Sequence, residues 1–221
     1  MSLRLALILL TVISVVCDTL LLPFYPQFFA SEFAISNATL IGLFVANCCI
    51  TVMLALPLWA KVAKKYNELA LWLVTQVVAA GFGLLCYFAT NVWEFWIYYQ
   101  LMLVLKASYL LIYPFALRLE QQTKHLSIIG LFSVLMHFGA IGGALIGGYF
   151  FSLAEPRYAL LLSSAGDMVQ VLLCAYLMYS LKTGIYQQAI ATEKPRERIP
   201  YFIWQFCFLS VVVYFSAFLI R

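Results

Sequence analysis

Long apolar stretches recur along the whole chain, and their length restricts the possible folds more than any other feature. A helix needs about 20 predominantly apolar residues to cross a hydrocarbon core of roughly 30 Å. Charged residues make up 10% of the sequence, against about 25% in a typical soluble domain. The sequence therefore predicts an all-α membrane protein with spanning helices in the runs Leu5–Ser31, Leu40–Ala60, Leu69–Trp93, Phe95–Leu117, Leu126–Ala154, Tyr158–Leu181 and Tyr201–Ile220.

Basic residues are concentrated on one side of these predicted helices. That side holds Arg4, Lys61, Lys64, Lys65, Arg118, Lys124, Lys182, Lys194, Arg196 and Arg198. The connections on the other side hold Arg157 beside Glu32, Glu94 and Glu155. Because lysine and arginine favour the cytoplasmic side, we expect a cytoplasmic N-terminus. The membrane that we expect to hold the protein is the cell inner membrane. The net charge of +4 reflects this topology, and we expect no nucleic-acid partner.

A polar segment divides the chain after the sixth run. Residues 182–200, KTGIYQQAIATEKPRERIP, contain both signs of charge together with prolines that interrupt the apolar pattern. We predict a six-helix bundle in residues 1–181, a cytoplasmic linker in residues 182–200 and the first helix of a second bundle in residues 201–221. The natural chain is expected to continue past Arg221, so that the C-terminal half of the same protein would be a partner of this bundle.

The familiar sequence patterns of catalytic sites are missing from the chain. It has no Walker loop, no GxSxG and no HExxH. Its six cysteines show no CxxC and no cysteine–histidine spacing typical of a metal site. We therefore expect neither an enzyme nor an ATP-driven pump, and we expect no cofactor, with the proton gradient as the driving force.

Three ionisable residues lie deep within predicted membrane helices: Asp18, Lys106 and Asp167. A charge at the centre of a membrane helix costs roughly 2.5–3.5 kcal/mol on insertion scales. That cost persists where the group is paired, hydrated or neutralised by a proton. Two readings stay open, a structural ion pair between helices and a proton-coupling site, and we favour coupling. His137 is a further candidate for a proton relay, with helix packing as the alternative.

Glycines recur at a fixed spacing in the fifth run. Gly139, Gly143 and Gly147 follow one another every four residues and so form one stripe along a helix. Small residues allow a neighbouring membrane helix to approach closely. The stripe predicts a tightly packed interface, which is also what a moving interface would require.

Four segments resemble the N-terminal half of the major facilitator superfamily, in particular its twelve-helix drug/proton antiporters. DTLLLPFYPQF is similar to the first-helix pattern of an aspartate followed by two prolines. PLWAKVAKKYNEL resembles the loop between helices two and three, with Lys64 where the family has an aspartate. LMLVLKASYLLIYPFALRLEQQ resembles the fourth helix, with Lys106 about one turn from the family's arginine. GAIGGALIGG is similar to the antiporter signature of helix five, without its proline.

This resemblance implies two six-helix bundles that enclose a cavity and rock to give alternating access. It implies that helices one and four line the cavity, with Asp18 and Lys106 as a pair and Asp167 on the outer sixth helix. Phe24, Tyr25 and Tyr113 would face the substrate, and Lys64 and Lys65 would belong, with the glycine stripe, to the conformational machinery.

The function predicted on this basis is proton-coupled export of small amphipathic organic molecules, of drug or siderophore type, across a lipid bilayer. Two alternatives stay open at this point. One is an importer or uniporter of a small nutrient on the same fold, and the other is a membrane assembly module that transports nothing.

Overall fold

The computed structural model describes residues 3–118, 125–153 and 156–180, and every regular element in these ranges is helical. The α-helices are α1 (Leu3–Thr19), α2 (Tyr25–Phe33), α3 (Ala38–Val62), α4 (Glu68–Phe88), α5 (Val92–Lys106), α6 (Ile112–Arg118), α7 (His125–Ser152) and α8 (Tyr158–Ser180). The predicted linker 182–200 and seventh helix 201–221 lie outside the described residues.

These helices form six spans that are long and apolar enough to cross a membrane. The six predicted runs before the linker each overlap one span, and the third run, predicted to reach Trp93, ends in the structure at Phe88. The spans are Leu5–Phe33, Ala38–Val62, Glu68–Phe88, Val92–Arg118, His125–Ser152 and Tyr158–Tyr179. Large apolar side chains cover much of the outer surface, as expected where a helix faces lipid.

Two spans are interrupted by a 3₁₀ turn. In the first span the turn Leu22–Phe24 separates α1 from α2, and prolines lie at or beside the starts of both the turn and α2. In the fourth span the turn Ala107–Leu111 separates α5 from α6 and precedes Pro114. A proline has no N–H to donate to the carbonyl four residues earlier, so the regular α-helical ladder breaks at these places.

An asparagine begins each of the second, third and fourth spans. The side-chain oxygens of Asn37, Asn67 and Asn91 accept hydrogen bonds from backbone N–H groups of the first helical turn. Such caps satisfy donors that have no partner within the helix. They fix where α3, α4 and α5 start and keep the connections before them short.

The spans pack in a defined order. Helix α1 lies against α7 and α8, while α4 lies between α5 and α8, and α3 packs on α5. An aromatic cluster fills the region where the first, second and fourth spans meet, formed by Tyr25, Phe28, Phe29, Phe44, Phe95 and Tyr99. This packing brings the end of α1, the end of α5 and the middle of α8 together.

Ion pairs connect the ends of distant spans. Arg118 at the end of α6 pairs with Glu68 at the start of α4, and Arg157 before α8 pairs with Glu32 of α2. Arg157 also donates from Nη1 to the carbonyls of Tyr87 and Ala89, each at 3.1 Å, at the end of α4. These contacts tie the first, third and sixth spans together at one end and the third and fourth at the other.

The glycine stripe of α7 lies against the backbone of α1. A Cβ at Gly139 would lie 3.0 Å from Val15 Cγ1, and one at Gly143 would lie 2.5 Å from the carbonyl oxygen of Val16. A Cβ at Gly147 would overlap the carbonyl of Leu20. A methyl group at Gly143 or Gly147 would therefore push the two helices apart, whereas one at Gly139 would require the Val15 side chain to shift.

We predict that Gly143→Ala destabilises the protein by about 1–3 kcal/mol, the usual range for an overpacked interior. The new methyl group would meet a backbone carbonyl of α1, which cannot rotate away as a side chain can. Thermal unfolding of the purified protein in detergent measures the effect. Gly130→Ala is the matched control, because it lies on the same helix with nothing within 4 Å of the added Cβ. Equal stability of the two variants would contradict the prediction.

Candidate functional site

A buried lysine joins three spans. Lys106 is the last residue of α5, immediately before the 3₁₀ turn of the fourth span, and its side chain is 6% exposed. Its Nζ lies 2.8 Å from Asp18 Oδ1 on α1 and 2.9 Å from Asp167 Oδ1 on α8. It also donates to Ser163 Oγ of α8 at 3.2 Å. We call Asp18, Lys106 and Asp167 the carboxylate–lysine site.

The two carboxylates of this site have opposite surroundings. The Asp18 side chain is 41% exposed, and its second oxygen accepts a hydrogen bond from Ser14 at 3.2 Å. The Asp167 side chain is 1% exposed. Gln170 donates to Asp167 Oδ1 at 3.5 Å, while Oδ2 has no hydrogen-bond partner among the described residues. One acid is thus open to the surroundings and the other is enclosed.

A small cavity of about 30 Å³ adjoins the site. Its polar walls are Cys17, Asp18, Tyr99, Lys106 and Ser163, and the remaining walls are apolar. A cavity that holds one water molecule needs at least about 10–15 Å³. The cavity therefore has room for water next to the ammonium group.

The site has one acid more than it has bases. With both carboxylates ionised it would carry one net negative charge at a depth where an unpaired charge is costly. A proton or another cation would remove that excess charge. Within the described ranges no group of three histidine, cysteine, aspartate or glutamate side chains is placed to hold a metal ion.

Comparison of the sequence with protein families identifies the family of this chain. The family model of the Major Facilitator Superfamily matches residues 7–220. The chain belongs to the major facilitator superfamily. It is therefore a multi-pass membrane protein from a family of secondary transporters, which carry small molecules and are not enzymes. Comparisons with curated proteins and with solved structures give no match.

The three aromatic residues predicted to face substrate lie in different parts of this transporter. Tyr25 is 3% exposed in the aromatic cluster, and its hydroxyl lies 2.5 Å from that of Tyr99. The ring of Phe24 stacks on Phe151 at 4.8 Å, and Tyr113 packs on Phe132 at 5.1 Å. Because Phe132 and Phe151 are near opposite ends of α7, Phe24 and Tyr113 contact different ends of the bundle. Contact with substrate stays a prediction for all three.

Other candidates lie away from the carboxylate–lysine site. Lys64 and Lys65 are exposed in the turn between α3 and α4. His137 is exposed on α7, and its Nδ1 lies 2.7 Å from the carbonyl of Ser133, one turn earlier on the same helix. Within the part of the chain that the structure describes, the polar partners of Lys106 are Asp18, Asp167 and Ser163, and none of these other candidates is among them.

Sequence reasoning missed the polar residues that surround the charges. Ser14 precedes Asp18 by four residues and Ser163 precedes Asp167 by four, so each serine shares a helical face with its aspartate. Gln170 follows Asp167 by three residues on the same face. This spacing is a signal in the sequence that identifies all three residues as neighbours of the buried charges.

We predict that water reaches Asp18 but not Asp167. In a background without other cysteines, Asp18→Cys should react quickly with a charged, membrane-impermeant methanethiosulfonate reagent, because a thiol must be hydrated to form the reactive thiolate. Asp167→Cys is the matched control and should react at least tenfold more slowly, since that side chain is 1% exposed. Mass spectrometry of the labelled protein measures both rates.

In both variants Lys106 keeps one carboxylate partner, so neither substitution leaves the ammonium group unpaired. Failure of Asp18→Cys to react would show that this residue faces lipid. Similar rates for the two variants would show that burial of Asp167 is not maintained in solution.

Proposed function

We propose that this member of the major facilitator superfamily is a proton-coupled transporter that exports small amphipathic organic molecules by alternating access. The observation that supports this proposal is the carboxylate–lysine site, in which one ammonium group lies between an open and an enclosed carboxylate. Ionisable residues within membrane spans commonly mark the pathways of ions and substrates.

In the proposed mechanism, Asp18 is ionised and paired with Lys106 in the conformation described here. A proton that reaches Asp18 removes its charge and weakens the pairing between the first and fourth spans. A ligand shifts a conformational equilibrium by its difference in affinity for the two states. The proton acts as such a ligand, because it binds where the ion pair opens and is released where the pair forms again.

The position of Asp18 supports a role in substrate exchange as well. Its side chain is 41% exposed, and together with Tyr99 and Lys106 it lines the small cavity at the site. A polar group surrounded by aromatic and aliphatic walls suits a molecule with one polar end and an apolar body. The amphipathic class of substrate also follows from the likeness of the first and fifth helices to the drug/proton antiporters.

We further propose that residues 1–181 form a bundle that moves as one body in the inner membrane, with the N-terminus in the cytoplasm. Residues 182–200 would connect it to a second bundle that begins with residues 201–221. The glycine stripe would hold α7 against α1 during this movement, and Lys64 and Lys65 would lie at the cytoplasmic surface.

Asp18→Asn tests the coupling directly. In inverted membrane vesicles energised with a proton gradient, the wild-type protein should accumulate ethidium or the neutral dye Nile red. The variant should accumulate no more dye than vesicles without a gradient, because an asparagine cannot carry the proton. Exchange of dye in the absence of a gradient should continue in the variant, since the helices still pack.

Glu94→Gln is the matched control, because Glu94 is an exposed acid in the first turn of α5, at the end of the fourth span. It should leave accumulation unchanged. Gradient-driven accumulation by Asp18→Asn would remove Asp18 from the coupling mechanism. Transport of neither dye, together with uptake of a nutrient by right-side-out vesicles, would instead support an importer.

A further inference from the structure

Three buried side-chain oxygen atoms on α4 and α8 lack hydrogen-bond donors. They are Asp167 Oδ2, Gln170 Oε1 and Gln76 Oε1, and none of them has a partner in the part of the chain that the structure describes. Each of the three residues is 1% exposed. Asp167 and Gln170 are on α8, and Gln76 is on α4, which packs against α8. Buried acceptors are normally paired, and leaving one without a donor costs free energy.

Lys106 is not available to satisfy these atoms. An ammonium group has three N–H donors. Its Nζ already has three oxygen atoms within reach: Oδ1 of Asp18, Oδ1 of Asp167 and Oγ of Ser163. The donor that the enclosed acid lacks must come from another source.

The geometry of Asp167 and Gln170 indicates where that donor belongs. The amide nitrogen of Gln170 donates to Oδ1 of Asp167, and this leaves Oδ2 of the acid and Oε1 of the amide, both acceptors, without a hydrogen atom. A carboxylic acid and a primary amide can form a pair of parallel hydrogen bonds, N–H to oxygen and O–H to oxygen. One proton on Oδ2 completes this pair and provides partners for both orphaned atoms.

We infer that Asp167 carries a proton on Oδ2 in this conformation, that Oδ2–H donates to Gln170, and that Asp167 is the residue that stores the transported proton. Asp18 is then the ionised partner of Lys106, and the site as a whole is neutral. The identification of a transported proton rests on the proposed function, whereas the protonated state of Asp167 does not.

Titratable groups of the helices packed near Asp167 either adjoin the site or pair elsewhere. From α1 the neighbours are Cys17 and Asp18, and from α5 the neighbour is Lys106. The acid of α4, Glu68, pairs with Arg118 at the start of that helix, and His137 of α7 contacts Ser133 of its own helix. The exchange that fits this geometry is between the two carboxylates, both about 3 Å from Lys106 Nζ. When the proton moves from Asp167 to Asp18, the ammonium group keeps one ionised partner throughout.

Isotope labelling can test the protonation state, because the aspartates of this sequence are Asp18 and Asp167. The intact protein would be labelled with ¹³C at the aspartate carboxyl carbon and studied by infrared spectroscopy in lipid nanodiscs at neutral pH. A protonated carboxylic acid has a carbonyl band well separated from those of an ionised carboxylate. In Asp18→Glu the net charge is kept, and Asp167 is then the labelled aspartate of this sequence.

We expect the labelled carboxylic acid band in the wild type and again in Asp18→Glu. Gln170→Leu should shift this band, because the acid loses the oxygen to which it donates. Gln100→Leu is the matched control and should leave the band in place, since that amide contacts Thr51 and Cys48 instead. Ser14→Ala should also leave it unchanged, because Ser14 contacts Asp18.

Loss of the labelled acid band in Asp18→Glu would overturn the inference, as would a band that responds to Ser14→Ala and not to Gln170→Leu. Absence of the band from the wild type would show that both acids are ionised and that water satisfies the orphaned oxygen atoms. These measurements need no transport. A protein with the band but without gradient-driven transport would contradict the proposed function alone, and a coupled transporter without the band would contradict this inference alone.

Discussion

The arrangement of the bundle depends on one buried ammonium group. Lys106 would be expelled from the interior of a membrane protein unless ionised oxygen atoms surrounded it, because an isolated charge in a medium of low dielectric constant is too costly to maintain. Its partners come from α1 and α8, which are far from α5 in the sequence. The requirement to pair this charge therefore fixes the depth and rotation of three spans relative to one another, and the break of the fourth span just after Lys106 lies at the same level.

Helix α1 meets this requirement while packing on two other surfaces. Val15, Val16 and Thr19 face the glycines of α7, and Cys17 faces Gly166 of α8. Ser14 and Asp18 lie on a third face of α1. One oxygen of Asp18 accepts from Lys106, and the other accepts from Ser14. Because small residues bring α7 and α8 close to α1, the segment that carries Asp18 is packed on both sides. The carbonyls of Val16 and Leu20 meet α7, and the Cys17 side chain meets α8.

The sequence was sufficient to predict the six described spans, since apolar runs of the length of a bilayer have few alternative folds. It also singled out Asp18, Lys106 and Asp167, because charges within such runs are conspicuous. Other features were not predictable in the same way. The Tyr25–Tyr99 contact and the pairing of Arg157 with Glu32 join residues that are far apart in the chain, so they depend on which helices become neighbours. The orphaned oxygen atoms of Gln76 and Gln170 depend on side-chain orientation, which a pattern of residue types does not specify.

The unequal exposure of the two acids is what distinguishes this site from an ordinary ion pair. A lysine paired with one carboxylate has no net charge, so binding a proton would give the pair an uncompensated positive charge. A lysine with two carboxylates has one negative charge in excess, and that excess gives the site an affinity for a proton that a simple pair lacks. If both acids were exposed, the proton would exchange freely with water in every conformation, and if both were enclosed, it could neither enter nor leave. In the proposed mechanism, one open acid and one enclosed acid, each about 3 Å from the same ammonium group, would take a proton from water and then hold it away from water. This separation is the physical condition that coupling of a proton to a conformational change requires.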